Sequence, residues 1–150
     1  MVNIEKVREL YIASDKFDTF NKSSLKKLSY EKWEKYIDNH NQFVWYDDTK
    51  EAKEALQNIE KIPKDFQQSF LNSFGKTRCY KDYDIKKNIY NISIAFYEEL
   101  KRVTICFENK PKIAELKLFL EMANYLGALL LIDGTEIIDD NVIKALEQEK

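Results

Sequence analysis

The sequence predicts a single α+β domain in which a helical N-terminal layer packs on an antiparallel β-sheet. Apolar residues recur at helical spacing through about residue 75, and they alternate with polar residues from about residue 90 onward. The length of 150 residues is near the commonest size for one domain. We therefore expect one domain over 1–150, with 1–75 mainly helical and 76–150 forming a sheet plus helix.

The first two predicted elements are helices. A set of apolar residues at helical spacing indicates the first: Ile4, Val7, Leu10 and Tyr11. The second has its apolar positions between Leu25 and Ile37, and it begins after either Ser29 or the pair Ser23 and Ser24, because a serine hydroxyl at a helix N-cap accepts a hydrogen bond from a free backbone N–H.

A short strand and two more helices complete the N-terminal half. The segment "NQFVWYDD" is rich in β-favouring residues and predicts a strand near 43–47. Asp48 and Glu51 then have the spacing of a capping box, which opens a helix that Pro63 ends. A further short helix stops at Gly75, a residue type that favours the left-handed conformation at helix ends.

The C-terminal half changes to the alternating pattern of strands. Two antiparallel strands are predicted near 90–97 and 102–108, and the longest helix runs from Pro111 to Leu126. That helix is apolar around most of its circumference, so it needs cover on two sides. A second apolar stripe lies beside its main buried face: Leu118, Met122 and Tyr125.

An Asp-Gly turn predicts a β-hairpin near 128–138. Asp133 and Gly134 both tolerate positive φ, and apolar arms flank them. A two-residue turn would place Leu130 opposite Ile137. Asp139 or Asp140 then caps a final helix, since carboxylates are favoured at helix N-termini.

The charge distribution indicates a possible contact surface. Net charge is only −2, which argues against a surface built for phosphate backbones, so nucleic acid is not an expected partner. Residues 118–143 contain no lysine or arginine. The hypothetical partner-binding set combines the acids of this segment with the apolar stripe: Asp133, Glu136, Asp139, Asp140, Leu118, Met122 and Tyr125.

We interpret the chain as a non-catalytic protein-binding module. The expected partner is a basic protein or a second copy of the chain, and one specific version is an immunity or inhibitor-type protein that neutralises a basic toxin or enzyme. No apolar run is long enough to cross a bilayer and no signal-peptide pattern is present, so we expect a cytoplasmic protein with no membrane contact. The abundance of Lys, Asn, Ile and Tyr suggests a bacterial source.

Catalytic signals are few, and no catalytic residue, cofactor or metal is predicted. His40 is the only histidine and lies in a polar connector without a visible partner. Cys106 would be a nucleophile only beside a base. An enzyme whose carboxylates and tyrosines come from distant segments stays open as an alternative.

A second alternative is weak nucleic-acid binding through 76–87, "KTRCYKDYDIKK". This segment interleaves cations with aromatic rings, the composition of a groove for single-stranded nucleic acid. Asp82 and Asp84 interrupt it, which favours a solvated connector or edge strand instead. The residues of this alternative are Lys76, Arg78, Tyr80, Lys81, Lys86 and Lys87.

Overall fold

Seven antiparallel strands form one sheet in the computed structural model, which describes residues 3–17, 25–71 and 74–149. Helices pack on this sheet, so the chain is a single α+β domain, as predicted. The spatial order of the strands is β2-β3-β4-β5-β1-β6-β7. The strands are β1 (Glu9–Ala13), β2 (Val44–Trp45), β3 (Arg78–Asp84), β4 (Ile89–Tyr97), β5 (Arg102–Phe107), β6 (Leu129–Ile132) and β7 (Glu136–Ile138).

The prediction of a helix at the N-terminus is wrong, because Glu9–Ala13 is a central strand. It pairs with β5 on one side and β6 on the other. Four consecutive residues, Leu10 to Ala13, are buried. A run buried on both faces is typical of a central strand, and helical spacing over so few residues does not distinguish the two.

Five helices of at least two turns are present in the described ranges, and three of them cover one face of the sheet. They are α1 (Tyr30–Asp38), α2 (Lys50–Gln57), α3 (Lys64–Leu71), α4 (Ile113–Tyr125) and α5 (Asp140–Gln148). Helix α4 packs on β6 and lies between α1 and α5. The core beneath them is aromatic and aliphatic, with Trp33, Phe119 and Met122 fully buried.

The opposite face of the sheet carries a smaller apolar cluster. Phe17 and Leu25 cover Tyr11, Ala13 and Leu131 there. The second face is therefore covered at the β1-β6 part of the sheet, and both faces contribute to burial of the central strands.

Two of the predicted helix caps are confirmed. The Ser29 hydroxyl accepts a hydrogen bond from the Lys32 N–H, and the Asp139 carboxylate accepts one from the Val142 N–H. Ser23 and Ser24 lie outside the described residues.

The predicted cap of α2 is wrong. Thr49 replaces Asp48, because Asp48 lies in a short 3-10 turn and the Thr49 hydroxyl accepts from the Ala52 N–H.

The predicted hairpin forms with a shifted register. Asp133 and Gly134 both adopt positive φ, of 55° and 78°. The loop has three residues, however, because Ile132 pairs with Glu136. Leu130 consequently lies opposite Ile138, one position beyond the predicted partner, and the turn is closed by a hydrogen bond from the Thr135 N–H to the Ile132 carbonyl.

Gly134 is held against Phe17 as well as in a left-handed conformation. Its carbonyl accepts a hydrogen bond from the Phe17 N–H at 2.8 Å. A Cβ atom at position 134 would lie 2.7 Å from the Phe17 carbonyl oxygen and 2.9 Å from its ring. Both the backbone conformation and the available space therefore require glycine here.

We predict that Gly134→Ala destabilises the protein by about 3 kcal/mol, combining left-handed strain with the backbone clash. Gly127→Ala is the matched control, because Gly127 has φ 66° but an open site for a Cβ. That control should cost about 1–2 kcal/mol. Urea unfolding of both variants measures the difference, and equal losses would contradict the contact with Phe17.

Candidate functional site

A continuous row of six aromatic rings lies at the β2-β3-β4 end of the sheet, and we call it the aromatic row. In spatial order its members are Phe70, Phe74, Tyr46, Tyr80, Tyr90 and Tyr83. Successive ring centroids are separated by 5.2, 5.4, 6.1, 5.2 and 4.9 Å. These separations lie in the range of favourable aromatic pairs.

The aromatic row is partly open to solvent rather than buried. Every ring in it is half-buried or exposed, and Tyr83 at one end is 48% exposed. Sequence patterns placed Tyr80 among the residues of the nucleic-acid alternative, and they did not identify Tyr46, Tyr83 or Tyr90 as surface residues. The available signal was the density of aromatic residues outside any periodic apolar pattern, which is typical of contact surfaces.

The aromatic row borders a cleft of about 570 Å³, which we call the tyrosine cleft. Tyr80, Tyr83, Ile89 and Tyr90 form one side, and residues 49–51 at the start of α2 form the other. This volume is within the range of ligand sites, roughly 300–1,000 Å³. The tyrosine cleft is therefore a candidate ligand site.

Exposed apolar side chains are frequent in the same part of the sequence as the aromatic row. Eight large apolar side chains are exposed among the described residues, and six of these lie between positions 56 and 89. Ile85 at the β3-β4 turn is 80% exposed and Phe66 on α3 is 64% exposed. The six are Leu56, Phe66, Leu71, Tyr83, Ile85 and Ile89.

Local hydrogen bonds link neighbouring residues of the β3-β4 turn. The Asp84 carboxylate accepts from the Lys86 and Lys87 N–H groups at 3.0 and 3.3 Å. The Tyr83 hydroxyl donates to the Asn88 side-chain oxygen at 3.2 Å. The exposed apolar residues of the turn are thus presented on an ordered segment.

Burial shifts the ionisation of one ring in the aromatic row. Burial, and after it the nearby Tyr80 hydroxyl, raises the pKa of Tyr46 above its usual value. The Tyr46 hydroxyl is therefore a neutral hydrogen-bonding group at physiological pH, not an anion.

The predicted nucleic-acid residues do not form one basic strip. Strand alternation places Arg78 and Tyr80 on one face of β3 and Lys81 on the other. Lys76 lies over the Trp45 ring, with its ammonium nitrogen 5.9 Å from the centroid. Lys86 and Lys87 lie at the far end of β3, in the β3-β4 turn.

The four predicted acidic residues are all exposed, but they lie in two pairs at the two ends of β7. Asp133 and Glu136 lie at the turn, where they line a cavity of about 300 Å³ together with Lys6 and Arg8. Asp139 and Asp140 lie at the start of α5, roughly 10 Å from Glu136 at the rise of a strand. The sequence did not indicate the two cations beside the first pair.

The apolar stripe of α4 is mostly covered. Met122 is fully buried in the core and Leu118 is half-buried against it. Only Tyr125 is substantially exposed, at 44%. Met122 is therefore not part of the surface in this structure, because α1 and the sheet supply the second side of cover that the helix needs.

His40 has neighbours that the sequence did not reveal. Its Nδ1 lies 2.6 Å from the Tyr36 carbonyl, and its Nε2 lies 3.7 Å from Glu121 Oε1. The Tyr36 hydroxyl donates to the same Glu121 oxygen at 3.2 Å, and its ring stacks on His40 with a centroid separation of 4.0 Å. Burial, followed by the Glu121 carboxylate, raises the pKa of Tyr36. These contacts join α1 to α4.

Cys106 lies beside a carboxylate on the sheet face opposite α4. Its sulfur is 3.9 Å from Glu9 Oε1, and the Tyr11 hydroxyl donates to Glu9 Oε2 at 2.6 Å. Burial raises the pKa of the Cys106 thiol, and the Glu9 carboxylate raises it further. Burial and the hydrogen bond to Glu9 also raise the pKa of Tyr11 to about 12. The thiol is therefore kept protonated, which is the opposite of nucleophile activation.

The described parts of the chain contain neither a metal-binding cluster nor a helix that could span a bilayer. No three histidine, cysteine, aspartate or glutamate side chains lie close enough together there to hold a metal ion. No helix in residues 3–17, 25–71 or 74–149 has the length and apolar character needed to span a bilayer.

Comparison with models of protein families found no match, and neither did comparison with curated proteins or with solved structures.

Proposed function

We propose that this chain is a non-catalytic protein-binding module whose contact surface is the aromatic row with the exposed apolar residues around it. The observation that carries the proposal is the concentration of six exposed large apolar side chains between positions 56 and 89. Two of these side chains, Tyr83 and Ile89, border the same cleft as Tyr80 and Tyr90, and exposed apolar groups that adjoin one another in this way mark interaction surfaces.

The chemistry of the aromatic row fits a protein partner. Tyrosine is enriched among the residues that contribute most to protein-protein affinity, because it offers a large apolar ring, a polar tip and few rotatable bonds. The ordered β3-β4 turn also lowers the entropic cost of binding through Tyr83 and Ile85. We also propose that the protein acts in the cytoplasm.

The first test identifies a partner by photo-crosslinking from position 85 and then measures its affinity by calorimetry. The double variant Tyr83→Ser, Ile85→Ser should bind at least about tenfold more weakly, a loss of about 1.4 kcal/mol. Tyr97→Ser is the control, because Tyr97 is also exposed, at 38%, but lies at the end of β4 that is remote from the β3-β4 turn. Equal affinities for wild type and the double variant would refute the proposed surface.

Self-association is the second outcome that the same variants distinguish. If sedimentation shows a concentration-dependent dimer for the wild type and a monomer for the double variant, the partner is a second copy of the chain.

A second candidate surface is the β7 end of the sheet, which we call the acidic end because Asp133, Glu136, Asp139 and Asp140 lie there. In this version of the proposal the chain is an inhibitor or immunity-type protein. The observation that favours it is that none of the ion pairs among the described residues uses Asp133, Glu136, Asp139 or Asp140. Carboxylates that form no direct ion pair can attract a basic toxin or enzyme, although Lys6 and Arg8, which line the same cavity as Asp133 and Glu136, reduce the contribution of that pair. The separation of the two pairs, roughly 10 Å, is close to the Debye length in physiological salt, about 8 Å.

We predict that the exposed acids at this end raise the rate of association with a basic partner more than they lower the rate of dissociation. The test measures association rates at low and high salt for the wild type and for Asp133→Asn, Glu136→Gln, Asp139→Asn, Asp140→Asn combined. High salt should slow the wild type, and the salt effect should be smaller in the variant.

The control changes two exposed acids of the β4-β5 turn, Glu98→Gln and Glu99→Gln. If the association rate of the fourfold variant depends on salt as strongly as the rates of the wild type and of this control, the acidic end does not steer association.

A further inference from the structure

The tyrosine cleft has the features of a pocket for one ring of the partner. We propose that it takes a neutral, planar aromatic ring, presented as a tyrosine or tryptophan side chain of the protein that binds the aromatic row. This inference rests on the proposed function, because the same surface supplies both.

The first argument is the continuity of the aromatic row. Tyr80, Tyr83 and Tyr90 all border the tyrosine cleft, and Tyr90 already packs with both of the others. The Tyr80 and Tyr90 rings stack at an angle of 18°, whereas Tyr83 meets Tyr90 at 65°. A ring in the cleft would add one more member to the row with either offset-stacked or edge-to-face geometry, which are the two preferred arrangements.

The second argument is the balance of charge around the tyrosine cleft. Its lining contains one cation, Lys50, and one anion, Glu51, so the lining has no net formal charge. The Lys50 ammonium is directed to solvent, with a side chain 88% exposed, and it lies 3.8 Å from Glu54. A charged ligand would therefore meet no opposite charge held in place, which favours a neutral ring over an anionic nucleotide.

The third argument is the polar rim. Asn88, Thr49 and the tyrosine hydroxyls border the same space as the rings. A few polar groups around apolar walls fix the orientation of a ring that has its own polar atom, such as the phenol of tyrosine or the indole N–H of tryptophan. A purely aliphatic side chain would offer no hydrogen bond to this rim, in which the Tyr83 hydroxyl already donates to Asn88 and the Thr49 hydroxyl caps α2.

The test uses four soluble probes and the whole protein, observed by two-dimensional amide NMR. N-acetyl-tryptophanamide and N-acetyl-tyrosinamide should bind with dissociation constants on the order of 1 mM and shift the amides of Asn88, Ile89 and Tyr90. N-acetyl-leucinamide represents an aliphatic side chain and adenosine monophosphate an anionic planar ring. Both should bind more weakly by about tenfold or more.

Substitution then locates the site. Tyr83→Leu keeps an apolar side chain but removes a ring of the tyrosine cleft. It should weaken binding of the tryptophan probe by about fivefold or more. Tyr97→Leu, at an exposed ring outside the cleft, should leave the affinity unchanged. If Tyr83→Leu alters the spectrum of the free protein as a whole, Ile89→Trp serves instead. It should abolish probe binding by filling the cleft from its own wall.

Each outcome separates this inference from the proposed function. Absence of shifts from both ring probes overturns the ring pocket, as does tighter binding of the leucine probe or of the nucleotide. If the ring probes fail while the Tyr83→Ser, Ile85→Ser variant loses its protein partner, the surface is correct and the pocket is not. If the probes bind while that variant keeps full affinity, the cleft binds aromatic rings, but the proposed partner surface is wrong and with it the assignment of the ring to that partner.

Discussion

The fold depends on the position of β1 between β5 and β6. Leu10 and Ile12 enter the main core while Tyr11 and Ala13 enter the smaller cluster on the opposite face, so both faces of this strand are buried. Its two neighbours belong to different parts of the chain, the β3-β4-β5 meander and the β6-β7 hairpin. Without β1 these two units would not be joined by backbone hydrogen bonds, and the core under α4 would lose Leu10 and Ile12.

A continuous sheet also sets the distance between the two candidate surfaces. The aromatic row lies at β3 and the acidic residues lie at β7, five strand spacings apart. At roughly 4.8 Å per strand this separation is about 24 Å. The surfaces are therefore distinct, and charge substitutions at one should not alter ring contacts at the other.

Local chemistry made part of this structure predictable. The alternation of Ile92 and Ile94, the cap at Asp139 and the left-handed Asp-Gly turn each depend on neighbouring residues, so they could be identified from the sequence. The fold of Glu9–Ala13 could not, because a short apolar run becomes a strand only through partners about ninety or more positions away. The aromatic row assembles from three separate segments, and cations from another segment lie beside the hairpin acids, so both depend on tertiary packing.

Native-state hydrogen exchange tests the role of β1 most directly. If β1 unites the sheet, the amides of β1, β5 and β6 that bond between strands should exchange only through global unfolding, with one common free energy. The β6-β7 hairpin and α5 would then not unfold as a separate unit at a denaturant concentration below that of global unfolding. Exchange of β6 through a distinct, less stable unit, while β3, β4 and β5 stay protected, would contradict the account.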